Sequence, residues 1–358
     1  MESSQKEIIL ITGITGYVGA WVGKYFVDNC LPQYRIRATV RSLTNKKKLD
    51  PLRNDYGADL FDQIEFVEAD LNDKQSMHNA VKGCKYVIHV ASPIPGQVQP
   101  TEQQMIESTT TGTLAILESA LHNKVKKLII TLSMVTMFGG NFKGTGVPGN
   151  ISTYDENDFA PLQGADSYTK SKIHQEHVIM DFQKKNPGKL DIVTIHPSLV
   201  IGPTIIAERN SSNDLIAKLM NREMPGVINL CLPLVDVRDV AQAHLVAFQK
   251  DVKHKRILLH QDSASLTLIG DVLAQEFNKQ GYRVPTRRLG RCMLRLAACF
   301  DPSVRMIIHL VDAQILGRND ISRQELGIKY NIPIQASLIE MGYSLIEKGI
   351  VQDKRKKK

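Results

Sequence analysis

The sequence predicts an α/β chain built on a doubly wound parallel sheet, followed by a smaller α/β region. Three observations carry this. Over the first two thirds, short β-branched apolar runs alternate with longer amphipathic or polar stretches, the pattern of successive βαβ units. The first run leads directly into a glycine-rich turn that opens a helix. Near residue 200 the texture changes, as Gly202-Pro203, Pro225-Gly226 and Pro233 break the chain into short pieces.

The apolar runs predict strands at Ile8–Thr12, Ile36–Val40, Ile64–Val67, Tyr86–Val90, Leu128–Leu132 and Ile192–His196. Between them, helical spacing is clearest over Tyr17–Cys30, Lys74–Lys82, Gln103–Asn123 and Ser167–Lys185. A further helix is expected in the segment from Leu234 to His244, with Asp236 as N-cap and Asp239 in capping-box position. Residues 1–200 with about 230–252 form the expected first domain. About 201–229 and 253–350 form the expected second, substrate-binding one, and 351–358 a basic disordered tail.

Composition narrows the class. The 358 residues are 42% hydrophobic and 23% charged, enough for one large core or two unequal domains sharing a cleft. The amino end is polar and partly acidic, unlike a secretory signal, and charges interrupt every long apolar stretch, so a cytoplasmic protein without a membrane span is expected. Five scattered cysteines, Cys30, Cys84, Cys231, Cys292 and Cys299, have no CxxC spacing and read as small buried hydrophobes; no metal site is expected. The formal charge of +8 suggests a polyanionic partner, but Lys354, Arg355, Lys356, Lys357 and Lys358 supply five charges of it and the remainder carries +3. A solvated tail is the expected reading, with nuclear import or an anionic surface as alternatives, and no nucleic-acid partner is expected.

The turn Thr12-Gly13-Ile14-Thr15-Gly16-Tyr17-Val18-Gly19 has glycines spaced GxxGxxG. Such a turn serves a tight reversal, close approach of backbone to a pyrophosphate, and an anion facing a helix N-terminus. Placed between the first strand and first helix, it predicts a dinucleotide site in a sheet of Rossmann type. The second strand ends Val40-Arg41-Ser42, where an NAD site would carry an acid. Arg41, helped by Lys48, would instead pair with a 2′-phosphate, so NADP(H) is the expected cofactor; a surface basic cluster with Lys46 and Lys47 is the alternative. Asp70 and Leu71, after the third strand, are placed against the adenine, or else Asp70 caps the next helix.

Tyr168 and Lys172 form the one YxxxK pair among ten tyrosines. Four residues apart on a helix, the phenol and ammonium share a face, and a nearby cation lowers a phenol pKa of about 10 toward a usable acid or base. Ser133 stands at the carboxyl end of the fifth strand, where such sheets place ligands, and its hydroxyl can hold a substrate carbonyl. No GxSxG elbow surrounds it, which disfavours a serine hydrolase.

TGITGYVG, ATVRS, ADL, VIHVASP, Ser133, YTKSK, HPSLVIGP and LVDVRDVAQAH, in that order, resemble the extended short-chain dehydrogenase/reductase superfamily (NAD-dependent epimerase/dehydratase family). Within it they are most similar to the dihydroflavonol-reductase-like and cinnamoyl or aldehyde-reductase-like group. The resemblance spans about residues 7–250 and loosens beyond. It implies NADPH-dependent reduction of a small-molecule ketone or aldehyde, with Ser133 polarising the carbonyl, Tyr168 giving the proton, and Lys172 holding the nicotinamide ribose. It also implies that Val90, Ala91 and Ser92 line the nucleotide, that Thr131 lies beside the nicotinamide, and that Pro197, Ser198 and Leu199 hold its carboxamide. Ser92 and Phe138 are its candidates for substrate contact.

Two departures matter. Many members carry an asparagine where Thr109 stands, and flavonoid reductases carry one where Phe138 stands, which argues against a flavonoid substrate. Competing readings are an NAD-using nucleotide-sugar epimerase or dehydratase, a 3β-hydroxysteroid dehydrogenase, and a non-enzymatic NADP sensor. Arg41 speaks against the first two and the intact Ser133, Tyr168 and Lys172 against the third.

Overall fold

Seven parallel strands, sandwiched between two helical layers, organise the chain in the computed structural model, which describes residues 6–92, 101–139, 151–299, 308 and 311–355. The first half alternates β1 (Ile8–Thr12), α1 (Tyr17–Cys30), β2 (Arg35–Val40), α2 (Lys46–Tyr56), α3 (Ala58–Phe61), β3 (Glu65–Glu68), α4 (Lys74–Val81), β4 (Cys84–His89), α5 (Glu102–His122) and β5 (Lys127–Thr131). The chain continues through α6 (Val135–Phe138), β6 (Ile151–Tyr154), α7 (Ser167–Lys185), β7 (Asp191–Pro197), β8 (Leu199–Ile201), α8 (Asp214–Met220), β9 (Cys231–Asp236) and α9 (Val237–Gln249). After these come β10 (Arg256–Leu259), β11 (Asp262–Ser265), α10 (Leu266–Phe277), α11 (Arg291–Ala298), β12 (Gln314–Gly317) and two helices, Asp320–Gln324 and Ile334–Glu347.

The large sheet runs β10-β7-β5-β4-β1-β2-β3, every neighbouring pair parallel. Period-two alternation explains its two layers. Ile9, Ile11, Ile129 and Val193 pack with α1 and α9, whereas Leu10, Leu128, Ile130 and Ile192 pack with α4, α5 and α7. Each fully buried aliphatic side chain contributes roughly 1.5–3 kcal/mol relative to exposure. Helix starts are fixed by side chains: Asp73 for α4, a Thr101–Gln104 capping box for α5 and Asp166 for α7. A second sheet, β11-β9-β8, and a parallel pair, β12 with β6, stand beside the main one.

Four expectations need correction. The seventh strand, β10, lies past the boundary expected at 252, so the first domain's sheet is completed by residues assigned to the second. Its IleLeuLeu run is too short for a periodic signal to stand out. The basic tail does not leave the body at 351: Val351 is fully buried, the Lys354 amide donates to the Tyr282 hydroxyl at 3.2 Å, and the Lys354 ammonium lies over that ring at 5.8 Å. Residues 356–358 lie outside the described residues. Asp236 caps α9, accepting from the Arg238 amide, but Asp239 closes no capping box; its Oδ2 is buried without a partner, and burial, then Asp236, push its pKa up to about 6. Finally, Cys292 and Cys299 are exposed, while Cys30, Cys84 and Cys231 are buried as expected. No described helix is long and apolar enough to cross a membrane.

Candidate active site

The carboxyl ends of β1, β4, β5 and β7 share one edge of the sheet, and the residues singled out from the sequence lie along it. After β1 the chain reverses at Gly13, whose φ of +75° favours glycine. A Cβ on Gly13 would meet the Ala91 backbone at 2.7 Å, and one on Gly19 would stand 1.9 Å from the Gly13 carbonyl oxygen. Gly16 caps α1 with no side chain, and its amide donates to the Gly13 oxygen at 2.9 Å. The first amides of α1, those of Tyr17, Val18 and Gly19, therefore face outward with no side-chain acceptor. The Tyr17 ring turns away, its buried hydroxyl donating to the Gly202 carbonyl at 2.8 Å, so only its backbone serves the turn.

The turn after β4 is fastened to this one. The Thr12 hydroxyl accepts from the Ala91 amide at 3.2 Å and bonds the His89 ring at 2.9 Å. Burial pushes the His89 pKa down to about 3, which keeps that ring neutral. Val90, Ala91 and Ser92 follow, beside the glycine turn.

Thr15, Val40, Arg41, Ser42, Asn45 and Lys48 line a recess of about 50 Å³ at the end of β2. Arg41 is exposed and in no ion pair among the described residues, whereas Lys48 pairs with Glu208. Asp70 forms a turn, accepting from the Asn72 amide at 2.8 Å; Asp73, not Asp70, caps α4. Leu71 packs against Gly112 of α5.

Ser133 follows β5, and its hydroxyl, which accepts from the Val135 amide at 3.4 Å, faces Tyr168 in the first turn of α7. Although 46% of Tyr168 is exposed, the protein gathered around its hydroxyl pushes the phenol pKa up; Ser133 opposes this and Asp166 adds to it. Lys172, one turn along α7, is 4% exposed, and burial pushes its pKa down to about 8. Its ammonium donates to Ser92 Oγ at 3.2 Å and to Gln175 Oε1 at 2.9 Å. Of the groups around the phenol, Ser133 pulls its pKa down, while burial and Asp166 push it up.

Thr131 bonds His244 Nε2 at 2.8 Å, while His244 Nδ1 donates to the Val240 carbonyl. Pro197 ends β7, its carbonyl accepting from the Met134 amide at 2.9 Å; Ser198 is buried with its hydroxyl unpartnered, and Leu199 opens β8. Phe138 packs on Tyr154 with ring centroids 5.8 Å apart, and Thr109 is buried in α5.

The model of the NAD dependent epimerase/dehydratase family matches residues 9–259. The chain belongs to this family. It is an NAD(P)-dependent oxidoreductase of the extended short-chain dehydrogenase/reductase group. It is 31% identical over 289 residues to an uncharacterized oxidoreductase of Schizosaccharomyces pombe, covering 76% of this chain and 82% of that one. It is 28% identical over 280 residues to anthocyanidin reductase of Arabidopsis thaliana, covering 75% and 80%. The fold is that of Gre2 from Candida albicans in its NADPH complex, with a TM-score of 0.74 over 96% of this chain and 99% of that one at 23% identity. The residues present fit the family's dinucleotide: glycines let the turn, the start of α1 and the Ala91 backbone lie close together, the α1 N-terminus offers amides with no side-chain cap, and Arg41 borders a recess.

The network beneath this epimerase/dehydratase-family site was missed from the sequence. Arg256 on β10 donates to both carboxylate oxygens of Glu176, at 2.7 and 3.1 Å, and to the carbonyls of Glu156, Asp158 and Thr136. Its guanidinium also covers the Phe159 ring at 4.2 Å. The His196 ring bonds the Thr136 hydroxyl at 2.9 Å, and that hydroxyl donates to the Ser133 carbonyl at 3.0 Å. Gln175 and Glu176 carried a signal, since three and four residues past Lys172 they share its helix face. Arg256 carried none, standing 80 positions from Glu176.

Proposed function

We propose that the chain reduces the carbonyl of a small ketone or aldehyde with NADPH, using Ser133, Tyr168 and Lys172. The observation that carries this reading is that all three side chains stand at the edge that also holds the glycine turn: Ser133 faces Tyr168, and one helical turn on Lys172 is tied to Ser92 beside Ala91. When bound, NADPH supplies a hydride to the carbonyl carbon. The Ser133 hydroxyl donates to the carbonyl oxygen and so stabilises the charge that grows on it. The Tyr168 phenol, protonated near neutrality, gives that oxygen its proton, and the positive charge of the bound cofactor and of Lys172 would bring its pKa down toward the working range. Lys172 holds the nicotinamide ribose.

The backbone of Gly13, Thr15, Gly16, Tyr17, Val18 and Gly19 takes the pyrophosphate, and Arg41 with Lys48 takes the 2′-phosphate. Asp70 and Leu71 border the adenine. Val90, Ala91, Ser92, Thr131, Pro197, Ser198 and Leu199 line the nicotinamide half. Substrate meets Ser92 and Phe138, and the region after residue 200 closes over it.

Replacing Tyr168 by Phe tests the reading. Turnover is expected to fall about 1,000-fold or more while NADPH affinity stays within about threefold, because the phenolic proton is needed only in the transition state. A variant keeping more than about a tenth of wild-type turnover, an effect below ~1.4 kcal/mol, would show that Tyr168 is not the acid.

A further inference from the structure

Gln175 is 1% exposed and three residues past Lys172, and its amide oxygen accepts the shorter of the two hydrogen bonds from that ammonium. The site thus holds a buried cation with neutral acceptors. The charged and titratable groups around Lys172 are otherwise engaged or neutral. His89 on β4 and His196 on β7 are both pushed down by burial, and neither can neutralise a cation. Glu176, next along α7, is committed to Arg256 of β10, and Glu102 of α5 holds Lys170 at 3.0 Å. Asp166 caps α7, and the Tyr168 hydroxyl faces Ser133.

We propose that Gln175 is a positioning residue for the reaction, its amide oxygen anchoring the Lys172 ammonium next to Ser92 without neutralising it. This rests on the reading of Lys172 as the ribose-holding group. The physical choice has three arms. An apolar side chain at 175 would leave an ammonium N–H unbonded in a buried place and drive loss of its proton. A carboxylate would keep the proton but cancel the charge that the cofactor and the phenol feel. An amide gives one charge-assisted bond and leaves the charge uncancelled. Burial pushes the Lys172 pKa down to about 8, so the acceptors that hold its ammonium bear on its protonation state near neutrality.

The test follows NADPH dissociation constants by fluorescence from pH 6 to 10, with kcat and KM for a carbonyl substrate measured alongside. Wild-type affinity is expected to weaken as Lys172 loses its proton near pH 8. Gln175→Met should move that break at least one pH unit lower. Gln175→Glu should move it at least one unit higher and lower kcat at least tenfold with KM changed less than threefold. Breaks that coincide in all three proteins overturn the proposal. Thermal melts show whether each variant is folded; should Gln175→Met fail to fold, the direction of the Gln175→Glu shift decides alone. Lys172→Met separates the two ideas: a break that survives in it refutes the role of Lys172 itself, whereas a break lost there but unmoved in the Gln175 variants refutes only the role of Gln175.

Discussion

The glycine turn after β1 and the proposed catalytic corner around α7 sit on one sheet edge but are held by different physics. The turn is held by exclusion: a Cβ on Gly13 or Gly19 would overlap neighbouring backbone, and the groups the turn offers a ligand are main-chain amides. The corner is held by charge. Arg256, Glu176, Thr136 and His196 come from four elements and fix the helix bearing Tyr168 and Lys172. A site bounded by backbone fails by losing its ligand, and a site bounded by a buried ion pair fails by losing its fold.

Glu176→Ala should make the largest difference. It leaves the half-buried Arg256 with backbone carbonyls alone and no counter-ion, and thermal or denaturant unfolding should report a loss of about 3 kcal/mol. If the loss is below about 1 kcal/mol, the corner is held by packing and the contrast collapses. Gly19→Ala should do the reverse. Its methyl overlaps a backbone oxygen, so α1 must shift away from the turn; NADPH affinity should fall about 100-fold, roughly 2.7 kcal/mol, with less effect on unfolding than the Glu176 variant. An alanine protein that binds NADPH normally would show that the turn yields.

Arg41→Asp sharpens the contrast within the nucleotide half, because Arg41 is an exposed side chain, unlike the turn. Its hydrogen bonds to a 2′-phosphate are worth roughly 1.5–3 kcal/mol, so paired titrations should show a wild-type preference for NADPH over NADH of about tenfold to 100-fold at low salt, reversed in the variant. Equal affinities in the wild type would remove Arg41 from the cofactor site. The smallest effect belongs to the tail. Deleting residues 354–358 should lower stability by no more than about 1 kcal/mol, the worth of an exposed cation–π contact. Starting the deletion at buried Val351 should cost roughly 2 kcal/mol more, which melting curves of the two truncations resolve.

The same contrast explains what was legible in the sequence. The glycine turn, YxxxK and the strand-end Ser133 are short patterns, so their chemistry is visible within a few residues, and six strands of the large sheet announced themselves as β-branched runs. β10 did not. Its pairing with β7 is a tertiary fact, and Arg256 becomes meaningful only when Glu176 lies beside it. The hydrogen-bond partners of Lys172 were hidden for a related reason. Helix spacing places two side chains on one face but says nothing of Ser92 and Gln175, which claim the ammonium. Asp239 likewise has the spacing of a capping box and the burial of a core residue.

The late position of β10 also gives the molecule a history. A chain leaving the ribosome presents β1, the glycine turn and β4 early, and these can pair while synthesis continues. Glu176 emerges 80 positions before the strand that supplies its counter-ion, a delay of several seconds at ~5–20 residues per second. Throughout that interval α7 carries a carboxylate without its counter-ion, so the nascent protein is able to form the half that bears the glycine turn before its corner can close.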